Sequence, residues 1–224
     1  MATYVCADLH GRYDLWQQIR NYLHTDDTLI FLGDAADRGV YGWQIMKELL
    51  TRPNTIYIRG NHEQLLLDRW PEDSFEAHIL HSQNGGNYTY QEMMKDRDKE
   101  LFMNMLTETP FWYEYTNANG QRIFFSHSGS SDTTDTEDLV WARYFWNNIN
   151  TYDTQDYDMI IHGHTPMVYI QQDLGDEQRV DHPYFYNEKY CCLDSGAYAT
   201  GIALLLNADD FSFEVFQSEF NKGV

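Results

Sequence analysis

Carboxylate, imidazole and amide side chains recur along this 224-residue chain, each shortly after an apolar run. Six of them could ligate metal ions: Asp8, His10, Asp34, Asn61, His127 and His164. Such ligands suit Mn, Fe or Zn, and one carboxylate can bridge two ions about 3.5 to 4 Å apart. We therefore predict a dinuclear metal site in which Asp34 is the bridging ligand. Each histidine alone is more typical of a hydrogen-bonded core or surface residue, so the prediction depends on their joint placement.

Two pairs of these residues have a spacing that matters in extended chain. Asp8 and His10 lie two residues apart after the run at residues 3–7, so we expect both side chains on one side, with Leu9 pointing into the core. His162 and His164 have the same spacing at the end of a later strand. We interpret His162 as a residue that hydrogen-bonds a metal ligand without binding the metal, or as an ordinary core residue.

The elements that must position these side chains repeat in the order strand, polar loop, helix. The predicted strands cover residues 3–7, 28–32 and 55–58, and the predicted helices cover 13–23, about 42–50, and a segment through Leu65 and Leu66. This alternation favours a sheet of parallel neighbours with right-handed crossovers, which brings the three loops to one edge. Residues 72–108 are predicted to form a helical cover that breaks at Gly85 and Gly86.

The second half of the chain is predicted to be rich in strands, and two of them end at a histidine. These strands cover residues 122–126, 158–161, 190–193, 200–207 and 211–216. Residues 132–138 read as an acidic loop that caps a helix containing Trp141, Phe145 and Trp146. No repeat or linker divides the sequence, so we predict a single domain over residues 1–224.

The composition argues against several classes of protein. Apolar residues make up 42% of the chain and aromatic residues 16%, which is typical of a globular protein. The 15 Lys and Arg residues against 35 Asp and Glu residues give a formal charge of −20, which disfavours binding to nucleic acid or an anionic membrane. The three cysteines are an odd number and do not suggest a disulfide framework. The apolar runs are far shorter than the roughly 18 residues of a membrane span, and no signal peptide is recognisable, so we expect a cytoplasmic protein.

Five motifs occur in the order and at the spacing of a known family. They are Asp-Leu-His-Gly at 8–11, Gly-Asp-Ala-Ala-Asp-Arg-Gly at 33–39, Gly-Asn-His-Glu at 60–63, His127, and Gly-His-Thr-Pro at 163–166. The chain thereby resembles the calcineurin-like metallophosphoesterases, and within them the bacterial and bacteriophage serine/threonine phosphoprotein phosphatases. The resemblance implies a mixed α/β fold, a four-layer α/β/β/α sandwich in which two mixed sheets are flanked by helices.

The resemblance also implies a role for each site residue. One metal ion is assigned to Asp8, His10 and Asp34, and the other to Asp34, Asn61, His127 and His164. The implied ions are two divalent metals, Mn first and Fe or Zn as alternatives, and they activate water for direct hydrolysis of a phosphoprotein or a small phosphoester. The residues implied to act on the substrate are His62 as general acid, Asp37 as the carboxylate that holds it, and Arg38, Arg143 and Asn61 as phosphate ligands.

Two other functions compete with the phosphatase, and the first shares its metal ligands. Symmetrical diadenosine tetraphosphate hydrolases resemble this chain but typically carry alanine at the position of Asp37, which favours the phosphatase. A catalytically inactive scaffold or binding protein would be expected to have lost a metal ligand or His62, and none is missing here.

Three further residues have competing interpretations. Cys6 lies at the spacing of a cysteine nucleophile in another class of phosphatase, but Asp8 within that loop would repel the phosphate and raise the thiol pKa. We therefore predict that Cys6 is a core residue. Arg143 is compatible with an ordinary ion pair as well as with phosphate binding, and Arg59 with bracing its loop as well as with touching the substrate.

Overall fold

Ten strands form two sheets in the computed structural model, which describes residues 1–143, 145–147 and 156–219. The strands are β1 (Thr3–Cys6), β2 (Thr28–Phe31), β3 (Thr55–Tyr57), β4 (Trp112–Thr116), β5 (Arg122–Ser126), β6 (Met159–His162), β7 (Tyr184–Tyr186), β8 (Tyr190–Cys192), β9 (Ile202–Asn207) and β10 (Phe213–Gln217). The first sheet has the order β10-β9-β1-β2-β3 and the second β4-β5-β6-β8-β7. Each contains parallel and antiparallel pairs, so both sheets are mixed.

Helices cover the outer faces of the two sheets. They are α1 (Tyr13–Tyr22), α2 (Gly42–Thr51), α3 (Asn61–Arg69), α4 (Phe75–Gln83), α5 (Asn87–Lys95), α6 (Lys99–Thr107), α7 (Thr136–Trp141), α8 (Met167–Leu174) and α9 (Ala197–Thr200). A 3₁₀ turn covers Phe145–Asn147. No helix in the described ranges is both long enough and apolar enough to traverse a lipid bilayer.

Three apolar clusters hold the layers together. Val5 and Ile30 of the first sheet pack against Phe125 of the second in the cluster between the sheets. On the outer side of the first sheet, Cys6 belongs to the cluster that also contains residues of α1 and α2. The third cluster joins the outer side of the second sheet to α8. Because neighbouring residues of a strand face opposite sides, the apolar runs of β1 and β2 supply two cores at once.

The register of the parallel strands determines where their loops begin. In the first sheet Cys6 pairs with Phe31, and Phe31 pairs with Tyr57. In the second sheet Phe125 pairs with Ile161. The strands of each sheet therefore end side by side, and the polar loops that follow them meet at one edge.

The four-layer sandwich with two mixed sheets is confirmed, and several local predictions need correction. The predicted helix through Trp141 and Trp146 is wrong in extent, because α7 ends at Trp141 and Ala142 has an extended backbone. The Phe145 side chain lies outside the described part of the chain. Of the predicted acidic loop, residues 136–138 are the first turn of α7, whose N-terminus is capped by the Asp135 carboxylate. Strands β4 and β7 and helices α8 and α9 were not predicted.

Candidate metal centre

The six predicted metal ligands converge at the shared edge of the two sheets. Asp8 and His10 follow β1, Asp34 follows β2, and Asn61 begins α3 after β3. The second sheet contributes His127 after β5 and His164 after β6. All six side chains are buried, with at most 4% of each residue exposed. The structure thus brings together residues that are up to 156 positions apart in sequence, as in the contact of Asp8 with the backbone of His164.

The first loop does not have the extended backbone that the spacing of Asp8 and His10 suggested. β1 ends at Cys6, and the φ angles of Asp8 and His10 are 50° and 44°, in the left-handed region. The reason is a set of backbone hydrogen bonds to the loop after β2, in which the N–H groups of Asp8 and His10 donate to the carbonyls of Gly33 and Asp34. Leu9 is fully buried, as predicted.

One group of side-chain nitrogen atoms lies around Oδ2 of Asp34. His10 Nε2 lies 3.5 Å from Asp34 Oδ2, and His10 Nδ1 hydrogen-bonds the carbonyl of Ala36 at 2.9 Å. His62 Nε2 lies 3.8 Å from the same Asp34 oxygen. Because the carbonyl of Ala36 accepts the Nδ1 proton, the Nε2 lone pair of a neutral His10 faces Asp34.

The second group gathers around Asn61. Its side-chain oxygen lies 2.9 Å from both His127 Nε2 and His164 Nδ1, and His127 Nε2 is 3.3 Å from Asp34 Oδ1. The other nitrogen of His127 hydrogen-bonds the carbonyl of Leu32 at 2.7 Å. In the described residues, His164 Nε2 is buried without a hydrogen-bond partner, whereas its Nδ1 contacts both Asn61 and His127.

Asp8 is oriented differently from the other carboxylate. Both of its oxygens accept from the backbone N–H of His164 at 3.1 Å, and it belongs to neither of the two groups whose ligand atoms lie within 4.8 Å of one another. Burial raises the pKa of Asp8 well above its usual value, and the nearby Asp194 carboxylate raises it further. Burial acts the same way on Asp34, but the neighbouring His127 and His62 hold its pKa well below the usual value.

These residues fit a pair of divalent cations. The donor set is carboxylate, imidazole and amide oxygen, which matches the preference of Mn, Fe and Zn. Three carboxylates, Asp8, Asp34 and Asp194, are buried close enough to perturb one another, and bound cations would neutralise that charge. Carbonyl groups fix the rings of His10 and His127 from behind, which is the usual support of a histidine ligand.

His62 lies beside this centre with a different set of partners. Its Nδ1 hydrogen-bonds Asp37 Oδ2 at 2.8 Å, and its Nε2 lies 3.4 Å from a guanidinium nitrogen of Arg38. Burial alone would lower the pKa of His62, but the carboxylates of Asp34 and Asp37 raise it overall. A metal ion bound at His62 Nε2 would be repelled by the positive charge of the Arg38 guanidinium. The surroundings therefore disfavour His62 as a metal ligand.

Two of the predicted phosphate ligands, Arg38 and Arg143, are at the protein surface. Both side chains are exposed, whereas the six predicted metal ligands are buried. Arg143 is close enough to His164 to lower the pKa of that imidazole, after the larger effects of burial and His127. Trp141, two residues earlier, packs edge-on against the His164 ring, with the ring centroids 6.1 Å apart.

Comparison with known proteins agrees with this arrangement. The family model described as calcineurin-like phosphoesterase matches residues 1–193. The chain belongs to this family. A symmetrical bis(5'-nucleosyl)-tetraphosphatase of Coxiella burnetii is 32% identical over 87 residues, which are 36% of this chain and 30% of that protein. The serine/threonine-protein phosphatase 6 catalytic subunit of Drosophila melanogaster is 44% identical over 66 residues, 26% of this chain and 22% of that protein.

The chain therefore aligns with less than a third of the length of these curated relatives. A solved structure of a protein serine/threonine phosphatase from Saccharomyces cerevisiae superposes with a TM-score of 0.62 at 15% identity, covering 97% of this chain and 80% of that one. At this identity the superposition establishes the fold of the phosphoesterase and leaves its substrate open.

Two other residues singled out in the sequence of this calcineurin-like phosphoesterase, Cys6 and Arg59, have structural roles. Cys6 is fully buried, and burial raises the pKa of its thiol to about 12, which does not suit a nucleophile. Arg59 braces its loop, because its guanidinium donates to the carbonyls of Leu106 and Thr109 and stacks on Phe111.

His162 does not share a face with His164, because the left-handed φ of 67° at His164 turns the chain after β6. His162 Nε2 instead hydrogen-bonds the hydroxyl of Tyr186 at 2.8 Å. The two histidines therefore have different environments.

Sequence reasoning missed three buried polar residues beside the centre. Glu63 accepts hydrogen bonds from the loop that carries Asp34, and its position in the motif at 60–63 could have indicated it. Asp194 lies next to Asp8, and burial raises its pKa to about 6; the segment Asp-Ser-Gly-Ala at 194–197 carried that signal. His81, on α4, contacts Asp37, and nothing in the helical pattern pointed to it.

Proposed function

We propose that this calcineurin-like phosphoesterase is a metal-dependent phosphomonoesterase, most specifically a serine/threonine protein phosphatase, and that residues 1–224 act as a single domain. The observation that carries the proposal is the 2.8 Å hydrogen bond between Asp37 and His62, which orients an imidazole at the edge of the candidate metal centre. Proposed metal ligands are Asp8, His10, Asp34, Asn61, His127 and His164. Two Mn ions, with Fe or Zn as alternatives, would activate water and neutralise phosphoryl charge when bound.

His62 is proposed as the general acid. Asp37 accepts the hydrogen bond from Nδ1, so Nε2 is the nitrogen that can face the substrate. During hydrolysis the oxygen of water forms a bond to phosphorus and releases one of its protons to solvent. The bond to the leaving oxygen breaks, and that oxygen takes the proton from His62 Nε2, which a proton from solvent then replaces. Such an acid contributes about 10²- to 10⁴-fold to the rate.

Arg38, Arg143 and Asn61 are proposed to hold the phosphoryl group. Arg38 is exposed and lies 3.4 Å from the nitrogen that donates the proton, so its guanidinium can bind a phosphoryl oxygen next to the leaving group. Arg143 is supported by its closeness to His164, which belongs to the group of side chains around Asn61.

A symmetrical diadenosine tetraphosphate hydrolase is the second candidate. It is supported by the match to the Coxiella burnetii bis(5'-nucleosyl)-tetraphosphatase. The two functions can be compared by measuring kcat/KM for a phosphoserine peptide and for diadenosine tetraphosphate in Mn buffer. We expect preference for the peptide, and a clear preference for the dinucleotide would reverse the proposal.

The Asp37 and His62 variants test the mechanism directly. We expect His62→Asn to lower kcat by about 10²- to 10⁴-fold with two Mn ions still bound. Asp37→Ala should lower kcat less, because the acid remains but is no longer held. If the metal-loaded wild-type protein does not hydrolyse p-nitrophenyl phosphate, a binding or scaffold function is favoured instead.

A further inference from the structure

The carboxylate of Asp37 contacts two histidines from different parts of the fold. His62 Nδ1 lies 2.8 Å from Oδ2, and His81 Nε2 lies 2.9 Å from Oδ2 and 3.1 Å from Oδ1. All three residues are at most 1% exposed. His62 belongs to α3, whereas His81 belongs to α4 in the helical cover. Asp37 therefore links the cover to the imidazole beside the metal centre.

The position of His81 is not explained by ordinary hydrophobic packing. It is the one buried residue of α4, while Phe75 and Leu80 on the same helix are 76% and 49% exposed. A Cβ atom on Gly86 would lie 2.0 Å from the His81 ring, so glycine makes room for the imidazole. In the described residues the Nδ1 atom of His81 is buried without a hydrogen-bond partner. A buried polar atom left without a partner is unfavourable, which indicates that the ring is kept for its Nε2 contact.

The helical cover also holds the backbone on either side of the Asp37 carboxylate. Asp37 and Arg38 have φ angles of 68° and 60°, a region that side chains other than glycine rarely adopt. The N–H of Asp37 donates to the hydroxyl of Thr89 at 2.9 Å, and the N–H of Arg38 donates to the carbonyl of Gly85 at 3.1 Å. His81 thus completes a set of contacts by which the cover fixes this pair of residues.

We propose that His81 is a positioning residue for the general acid. Its Nε2–H donates to the Asp37 carboxylate and fixes the oxygen that receives the Nδ1–H of His62, so that Nε2 of His62 is aimed at the leaving oxygen. This proposal depends on the proposed function, because it requires His62 to donate a proton. His81 does not touch the substrate, and it acts only through Asp37.

The test compares two substrates that need the acid to different degrees. The nitrophenolate of p-nitrophenyl phosphate leaves without much help from a proton, whereas the alkoxide of a phosphoserine peptide must be protonated. His81→Leu removes the donor and keeps an apolar side chain of similar bulk. We expect it to lower kcat for the peptide by about 10- to 100-fold and for the nitrophenyl ester by less than about threefold, with unchanged Mn content.

Two further variants separate positioning from folding. His81→Gln places an amide N–H near the position of Nε2 and should restore most of the activity on the peptide. His78→Leu is the matched control, because His78 lies on the same helix with a side chain 44% exposed and contacts Asp73 rather than Asp37. It should behave as wild type on both substrates.

Several outcomes would overturn the proposal. Equal loss on both substrates in His81→Leu, no loss on either, or failure of His81→Gln to recover would each show that His81 has no role in orienting the acid. If His81→Leu does not fold, the same ratio is measured for His81→Asn, whose amide is too short to reach Asp37, against His81→Gln. His62→Asn distinguishes failure of this proposal from failure of the proposed function. If His62→Asn loses activity mainly on the peptide and His81→Leu does not, only the positioning role of His81 is refuted. If His62→Asn shows no selective loss on the peptide, the role of His62 as general acid is refuted.

Discussion

Replacing Glu63 by glutamine should destabilise the loop that carries Asp34. The Glu63 side chain is fully buried, and its carboxylate accepts five hydrogen bonds. Oε1 accepts from the N–H groups of Ala35 and Ala36 and the hydroxyl of Tyr57, and Oε2 accepts from the N–H groups of Asp34 and Gly60. Glutamine keeps one acceptor oxygen and puts an NH₂ group in place of the other. At least two N–H groups then face a donor instead of an acceptor.

The size of the effect follows from those two bonds. A hydrogen bond to a charged group contributes about 1.5 to 3 kcal/mol, so losing two predicts a decrease of about 3 to 6 kcal/mol in the free energy of unfolding. Burial raises the pKa of Glu63, and the charge of Asp34 raises it further, so removing the Glu63 charge also relieves some repulsion. We therefore expect the lower end of the range, about 3 kcal/mol.

Urea denaturation in the presence of a chelator measures this difference without a contribution from bound metal. Glu72→Gln is the matched control, because Glu72 is exposed, and it should stay within about 0.5 kcal/mol of wild type. Tyr57→Phe removes one of the five donors and should cost about 1.5 kcal/mol, the lower end of the same range. A Glu63→Gln protein that unfolds within about 1 kcal/mol of wild type would refute the reasoning that both oxygens are required.

Three further predictions concern the metal, a glycine and a surface ion pair. Adding Mn to the chelated protein should raise its melting temperature and restore hydrolysis of p-nitrophenyl phosphate, whereas His127→Ala should show a much smaller shift in melting temperature; equal shifts would argue against His127 as a ligand. Gly60→Ala should weaken Mn binding measured by calorimetry, because the new Cβ would lie 2.2 Å from Asp34 Oδ1; unchanged affinity would contradict the crowding. The ion pair with Lys47 lowers the pKa of Asp96 to about 2, so the ionised form is favoured by folding. Its stabilising effect should be present above about pH 4 and lost as the pH falls through about 2, and the urea midpoints of wild type and Asp96→Asn should converge over that interval; a constant difference would exclude the linkage.

The sequence was most informative where a strand ended in a polar residue. Each apolar run of β1, β2 and β3 is directly readable from its periodicity, and parallel neighbours must place their carboxyl ends at one edge. That argument was sufficient to bring Asp8 next to the loop of Asp34, whereas the grouping of His127 with His164 was assigned by the family resemblance. It needed no knowledge of side-chain packing.

Contacts that depend on the path of a loop or the rotation of a helix about its axis could not be predicted from the sequence. His81 lies on a helix whose exposed apolar residues and buried histidine contradict the usual amphipathic pattern, so its contact with Asp37 could not be inferred from spacing. The end of α7 at Trp141 was also missed, because the aromatic spacing continues although the backbone becomes extended at Ala142. Tertiary contacts overrode the local signal in both places.

The left-handed backbone of the centre explains why its loops must act together. Outside glycine, positive φ angles occur at these residues of the candidate site: Asp8, His10, Asp34, Asp37, Arg38 and His164. Each such residue costs on the order of 1 to 3 kcal/mol unless its surroundings enforce the conformation. The enforcement comes from neighbouring loops, since the N–H of His10 donates to the carbonyl of Asp34, the carbonyl of His10 accepts from Gly39, and Glu63 binds the N–H of Asp34. A change in one loop therefore removes support from the strained residues of the next. For this reason Glu63→Gln should disturb the position of the Asp34 carboxylate, a proposed metal ligand, as well as the stability of the fold.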